Sequence, residues 1–104
     1  MSKKKYKLRL QREAFDDLDY IYRYISQDSL RNAKRFIKGL QKKIRSLKSF
    51  PKRGSLCRIV ISDIFEELRF ISYKGYLIFY DVKKDGVIIL HISGPGQDWM
   101  NLFL

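Results

Sequence analysis

The hydrophobic period changes at Pro51, and that change restricts the chain to a fold mixing helices with a sheet. Before it, Ala14, Leu18, Ile21 and Ile25 recur at helical spacing and mark one apolar stripe. Asp16 and Asp17 are expected in the first turn of that helix, where the backbone dipole favours negative charge. Ser26-Gln27-Asp28-Ser29 reads as a loop able to cap a second helix, in which Leu30, Ala33, Ile37, Leu40, Ile44 and Leu47 repeat the three/four spacing. Two such stripes joined by a short loop make an antiparallel helical hairpin. Phe50-Pro51 stops the second helix, and Lys52-Arg53-Gly54 turns the chain.

Beyond that turn the pattern is extended, as it is in the stretch before the hairpin. Lys5 to Leu10 alternates strictly, so a strand there turns Tyr6, Leu8 and Leu10 inward and Lys5, Lys7 and Arg9 to the opposite face. Residues 57–61 and 65–72 read as one long strand broken near Ser62-Asp63. After the turn Tyr73-Lys74-Gly75 comes a strand over 76–82, then the turn Lys83-Lys84-Asp85-Gly86, then a last strand over 87–93. Gly94-Pro95-Gly96 breaks the sheet. A tail follows with Trp99, Met100, Leu102, Phe103 and Leu104, suited to packing on the core or between protomers.

This order predicts an α+β domain: an N-terminal strand, a helical hairpin, then a three-stranded antiparallel meander, with the hairpin packed on one sheet face. At 104 residues and 45% hydrophobic content, the chain makes one domain over 1–104, with 94–104 as a C-terminal tail. The opposite sheet face is then the candidate working surface. If Leu68, Phe70, Ile88, Leu90 and Ile92 point at the helices, Arg69 and His91 share the far face with Lys5, Lys7 and Arg9. One bulge would undo that alternation.

Charge narrows the class of partner. Lysines and arginines number 22 against 11 acids, a net +11 that favours a polyanion or an acidic protein. Residues 1–58 hold 18 of the bases and 5 of the acids, so the positive field belongs to the hairpin half. Within it Arg31, Lys34, Arg35, Lys38, Lys42 and Arg45 fill the surface of the second helix, and no acid occurs between Leu30 and Phe50. Cys57 is the only cysteine, which excludes an internal disulfide and fits a buried small residue in a reducing, cytoplasmic setting. No apolar run follows the N-terminal lysines, so neither a signal peptide nor a membrane span is expected. No metal-ligand spacing or phosphate-loop glycine pattern occurs, and no cofactor is expected.

The ordered whole resembles the RelE/ParE superfamily of toxins from type II toxin–antitoxin pairs. The likeness runs from Ala14…Asp17-Leu18…Ile21…Tyr24-Ile25, through Ala33…Phe36…Leu40…Ile44…Leu47 with Pro51 and Gly54. It continues in Glu67-Leu68-Arg69, Tyr76-Leu77-Ile78-Phe79-Tyr80 and Val87-Ile88-Ile89-Leu90. The resemblance implies a toxin neutralised by a cognate acidic antitoxin, in a hetero-oligomer, with Arg31, Lys34, Arg35, Lys38, Lys42 and Arg45 as antitoxin-binding residues. Two targets follow from it: DNA gyrase for ParE-like members, and messenger RNA on the ribosome for RelE-like endoribonucleases, which use no metal. The nuclease reading implies Arg69 and His91 as catalytic groups, with Lys52, Arg53, Arg58 and Arg69 at the nucleic acid or target. RelE-like nucleases usually carry an arginine after the last strand and a tyrosine near the C-terminus. Here that segment reads Ser93-Gly94-Pro95-Gly96-Gln97-Asp98-Trp99, which favours the ParE-like side; Asp98 matches an aspartate common there. Outside the toxins, the same charge suits a basic nucleic-acid-binding module whose second helix tracks phosphates.

Overall fold

A computed structural model describes residues 6–58 and 63–103. Strand β1, Lys7–Leu10, leads into helix α1, Arg12–Ser26, and helix α2, Leu30–Arg45. Ser29 caps α2 as its position suggests, its Oγ accepting the Asn32 N–H at 3.1 Å. A 3₁₀ turn, Ser46–Lys48, extends α2, and Pro51 opens another, Pro51–Arg53. The remaining strands are β2, Ser55–Leu56; β3, Leu68–Tyr73; β4, Tyr76–Val82; and β5, Gly86–Ser93. Lys74 and Gly75, both at positive φ, form the two-residue turn between β3 and β4.

The sheet has five strands in the order β1-β5-β4-β3-β2. β1 runs parallel to β5, and every other pairing is antiparallel. The meander of the sequence reading is therefore its centre, extended by a parallel strand at one edge and a two-residue strand at the other. The single long strand expected over 57–72 is not formed. β3 starts only at Leu68: just before it the N–H groups of Glu66 and Glu67 turn to the buried Asp81 carboxylate of β4, at 3.2 and 2.7 Å, while the Glu67 carbonyl still accepts the Val82 N–H at 2.9 Å. Residues 59–62 of that expected strand, and Lys5 of the first, lie outside the described residues.

The hairpin covers one sheet face. Ala14, Leu18 and Ile21 of α1 and Leu40 and Ile44 of α2 pack on Ile78, Tyr80, Val82, Val87, Ile89 and Ile92. The other face is covered too. Cys57, Leu68, Phe79 and Leu90 form a second core, onto which Phe65, Trp99 and Phe103 pack. Trp99 and Phe103 stand 5.0 and 5.2 Å from Phe79, ring centre to ring centre, at the two ends of a closing 3₁₀ turn, Trp99–Phe103. The far face is thus not the open working surface that alternation suggested; the tail packs on it.

Two further expectations about facing are reversed. Leu68, Phe70, Ile88 and Leu90 lie on the far face, while Ile71, Val87 and Ile89 meet the hairpin. Both registers bury apolar residues when both faces are covered, so alternation could not choose between them. The strand pair β4–β5 also slips by one residue: Phe79 lies opposite His91 and Tyr80 opposite Ile89, leaving Leu90 as a bulge. Ile89 and Ile92 therefore share the hairpin side although they stand three positions apart.

Asp17 does not serve the helix dipole in the first turn of α1. β1 ends at Leu10, opposite Ile89, so on that side β5 runs on without a paired strand among the described residues, while β4 still flanks it on the other. The Asp17 carboxylate fills that place, its Oδ2 accepting the Ile92 N–H at 2.8 Å and lying 3.3 Å from His91 Nδ1. Burial pushes the carboxyl above its ordinary range, against the lowering pull of the Ile92 N–H and of His91.

Gly54 fits where it does because it has no side chain. A Cβ there would stand 2.5 Å from both the Phe70 carbonyl oxygen and the Tyr80 hydroxyl. Gly54→Ala is therefore expected to destabilise the fold by about 2 kcal/mol; urea unfolding with an unchanged midpoint would contradict this packing. For Asp17 the proton is bound more tightly in the folded chain than in the unfolded one. Acidification from neutrality toward the ordinary aspartate value of about 3.9 should then raise the stability of the wild type relative to Asp17→Asn. Thermal melts of the two proteins across that interval check the sign. Asp17→Ala, which leaves the Ile92 N–H unpaired, should cost about 1–3 kcal/mol.

Candidate functional site

The six basic residues of α2 share one helix face. Arg31, Lys34, Arg35, Lys38, Lys42 and Arg45 all fall within a stripe spanning roughly 100° around the axis. All six are exposed. None of them joins an ion pair among the described residues, whose pairs involve Asp19, Glu66, Glu67, Asp81 and Asp17 with other cations. The stripe therefore keeps its charge free for a partner.

Beside this stripe runs a groove in two sections. One, of about 440 Å³, lies between β1 and the hairpin; Leu8, Leu10, Leu18 and Ile44 supply much of its apolar lining, and Phe15 and Arg45 also line it. The other, of about 530 Å³, is lined by Arg31, Lys34, Arg35 and Lys38. Tyr22 and Ile37 line both sections, so the two adjoin, one at the edge of the sheet and the other at the start of α2. Its inner wall is β1, an edge strand with no neighbour on its outer side among the described residues. An apolar trough with a cationic rim beside an open strand edge suits an extended or helical peptide with acidic and apolar residues.

A second cluster of bases gathers around Gly54. Arg69 Nε lies 2.6 Å from Glu67 Oε2, and its Nη1 donates to the carbonyls of Gly54 and Lys52 at 2.5 and 3.2 Å. With its side chain only 14% exposed, Arg69 ties the turn after α2 to β3. Lys52 Nζ stands 3.8 Å from the same Glu67 carboxylate, and Arg53 turns to the end of α2, donating to Ser46 Oγ at 2.8 Å. The buried Tyr80 hydroxyl accepts the Gly54 N–H at 3.0 Å. Burial raises the pKa of that phenol, and the charges of Arg69 and Arg53 partly offset the rise. Arg58 is exposed.

Arg69 and His91 do not meet. Arg69 lies opposite Tyr80, whose ring packs in the hairpin-side core, whereas His91 lies opposite Phe79 and its ring meets Phe103 edge-on at 5.8 Å on the far side. β4 stands between their strands. The structure thus brings Lys52 and Arg69 together through Glu67, sets Arg53 beside them, and leaves His91 elsewhere. Among the described residues no group of three His, Cys, Asp or Glu gathers that could hold a metal ion. Nor is any described helix long and apolar enough to cross a membrane.

Sequence reasoning missed the role of Asp17. A signal was present: the residue sits three after Ala14 and four before Ile21, inside the apolar stripe, where an acid needs a specific partner. The partner, a strand amide 75 positions away, left no local trace.

Known proteins share this architecture. The structure of a chromosomal ParDE toxin–antitoxin system from P. aeruginosa superposes with a TM-score of 0.69 at 20% identity, covering 86% of this chain and 96% of that one. The RelBE2 toxin–antitoxin complex from Mycobacterium tuberculosis gives a TM-score of 0.67 at 16% identity, covering 92% and 98%. No curated protein matches the sequence. The family model for the ParE toxin of the type II toxin–antitoxin system parDE matches residues 8–99, from the first strand to the covering turn. That span holds the hairpin, its basic stripe and all of the sheet but Lys7, and the chain belongs to the ParE toxin family of type II toxin–antitoxin systems.

Proposed function

We propose that this chain is a toxin neutralised by an acidic antitoxin seated in the groove between β1 and the hairpin, and that the free toxin inhibits DNA gyrase. The observation that carries the first part is the unpaired stripe of six cations along an apolar trough. Both structural neighbours come from toxin–antitoxin complexes or systems, which supports a partner of that kind. Long-range attraction would speed encounter, and apolar side chains of the antitoxin, each worth about 1.5–3 kcal/mol when fully buried, would hold it. A strand added to the outer edge of β1 would lie directly beside the trough.

The choice of gyrase over messenger RNA rests on the state of the candidate catalytic groups. A guanidinium that stabilises a scissile phosphate must be free to reach it, and Arg69, with its side chain 14% exposed, commits Nε and Nη1 to Glu67 and two backbone carbonyls and keeps only Nη2 uncommitted. His91, on the other face of the sheet, has no route to the same phosphate. The RelE-like reading would have to work with Lys52, Arg53 and Arg58, without the histidine that it implies as a catalytic group.

Charge reversal of Lys34, Arg35 and Lys38 to Glu should slow antitoxin association by at least about tenfold at low salt, with a smaller effect on dissociation. Phe15→Ala, at a ring 58% exposed in the trough, should instead speed dissociation while leaving the melting temperature nearly unchanged. Surface plasmon resonance against the cognate antitoxin separates the two, and unchanged rates in both variants would place the antitoxin elsewhere. For the target, the purified chain should block supercoiling of relaxed plasmid by gyrase and leave ribosome-bound transcripts whole. Codon-phased cleavage would establish the nuclease reading instead. Salt-sensitive DNA binding without growth arrest would point to the plain nucleic-acid-binding module.

A further inference from the structure

On the flank of α1 turned away from the groove lies a pocket of about 370 Å³ with the opposite electrostatic character. Tyr20 and Tyr24, one turn apart on α1, are 65% and 61% exposed, with near-parallel rings whose centres are 6.5 Å apart. Tyr76, at the start of β4, brings a third ring to the lining and is braced by Phe36 at 5.2 Å. Pro95 and Gln97 line it from the segment after β5, a turn held by the Gly94 N–H donating to Gln97 Oε1. Asp17 also lines it, and the two hydrogen bonds of its carboxylate both fall on Oδ2. Oδ1 has no hydrogen-bond donor among the described residues. None of the lining residues is basic, in a chain with 22 lysines and arginines.

We propose that this pocket receives an organic cation, the head of a lysine or arginine side chain on a partner polypeptide, with Asp17 Oδ1 as counter-charge and the three tyrosine rings as walls. The chemistry of the lining selects this class. Tyrosine faces carry the negative end of the ring quadrupole and attract a desolvated ammonium or guanidinium. A phosphate or carboxylate would meet a carboxylate and no cation. A metal ion would find one carboxylate oxygen where it needs several ligands. A purely apolar occupant would have to desolvate Asp17 Oδ1 without replacing its water. The net +11 disfavours any cation at long range, so binding rests on the short-range contacts of the pocket, to which a basic side chain on a partner polypeptide adds contacts of its own. This site shares no lining residue with the groove assigned to the antitoxin, and it stands or falls apart from that reading.

The test uses N-acetyl-arginine amide and N-acetyl-citrulline amide, which have similar shape but differ in charge, titrated into the full chain by NMR. The arginine compound should shift the resonances of Tyr20, Tyr24, Tyr76 and Gln97 and bind about tenfold more tightly than citrulline. Tyr20→Ala combined with Tyr24→Ala should weaken binding about tenfold with no change in melting temperature, because both rings are largely exposed. Tyr20→Phe with Tyr24→Phe should retain binding. Asp17→Asn, which keeps an acceptor for the Ile92 N–H, should bring arginine down toward citrulline. Equal binding of the two compounds, or shifts that survive loss of both tyrosines, would overturn the proposal. None of these readouts depends on antitoxin binding or gyrase inhibition.

Discussion

β4 cannot be solvated on either side, and the rest of the molecule is arranged around that constraint. From Ile78 to Val82 every residue of the strand is buried, with Ile78, Tyr80 and Val82 facing the hairpin and Phe79 and Asp81 facing the other way. A strand apolar on both faces needs two covers. The amphipathic hairpin supplies one, and the turn carrying Trp99 and Phe103 supplies the other. Even the one acid in the strand is absorbed, since Asp81 accepts two amides and lies 3.3 Å from Lys83 Nζ.

With both faces closed, recognition moves to the rims. The outer surface of the hairpin keeps six unpaired cations, and β1 keeps a free strand edge beside them. The cations around Gly54 serve differently. Arg69 and Lys52 converge on Glu67, and Arg53 binds Ser46, so this cluster fastens the turn after α2 to the sheet. A motif that looks like a phosphate site in sequence is, in three dimensions, a joint.

The hairpin was legible because its signals are local: the three/four spacing, the Ser29 cap and the Pro51 stop each act within a turn or two. The three-stranded meander followed from the same kind of signal, whereas the place of β1 beside β5 did not, and the tail was legible only as a segment suited to packing on the core or between protomers. What escaped was everything set by distant partners. The facing of β3 and β5 could not be read, because Leu68 and Ile71, or Leu90 and Ile89, are equally good core residues. The bulge at Leu90 has no composition mark, and it alone parts His91 from the side on which Arg69 stands. Asp17 showed only as an acid in the wrong stripe. The candidate bases on α2 were readable because exposure needs no partner; those near Gly54 were readable as charges and not as ties.

The stripe on α2 makes the molecule lopsided as well as basic. A body with six free cations in a row along one helix feels a torque in the field of an acidic chain and arrives already turned, that flank first. Its first collisions are then spent near the trough, while the tyrosine-lined pocket on the other flank of α1 trails on the sheltered side, accessible to a second molecule while the first is docking.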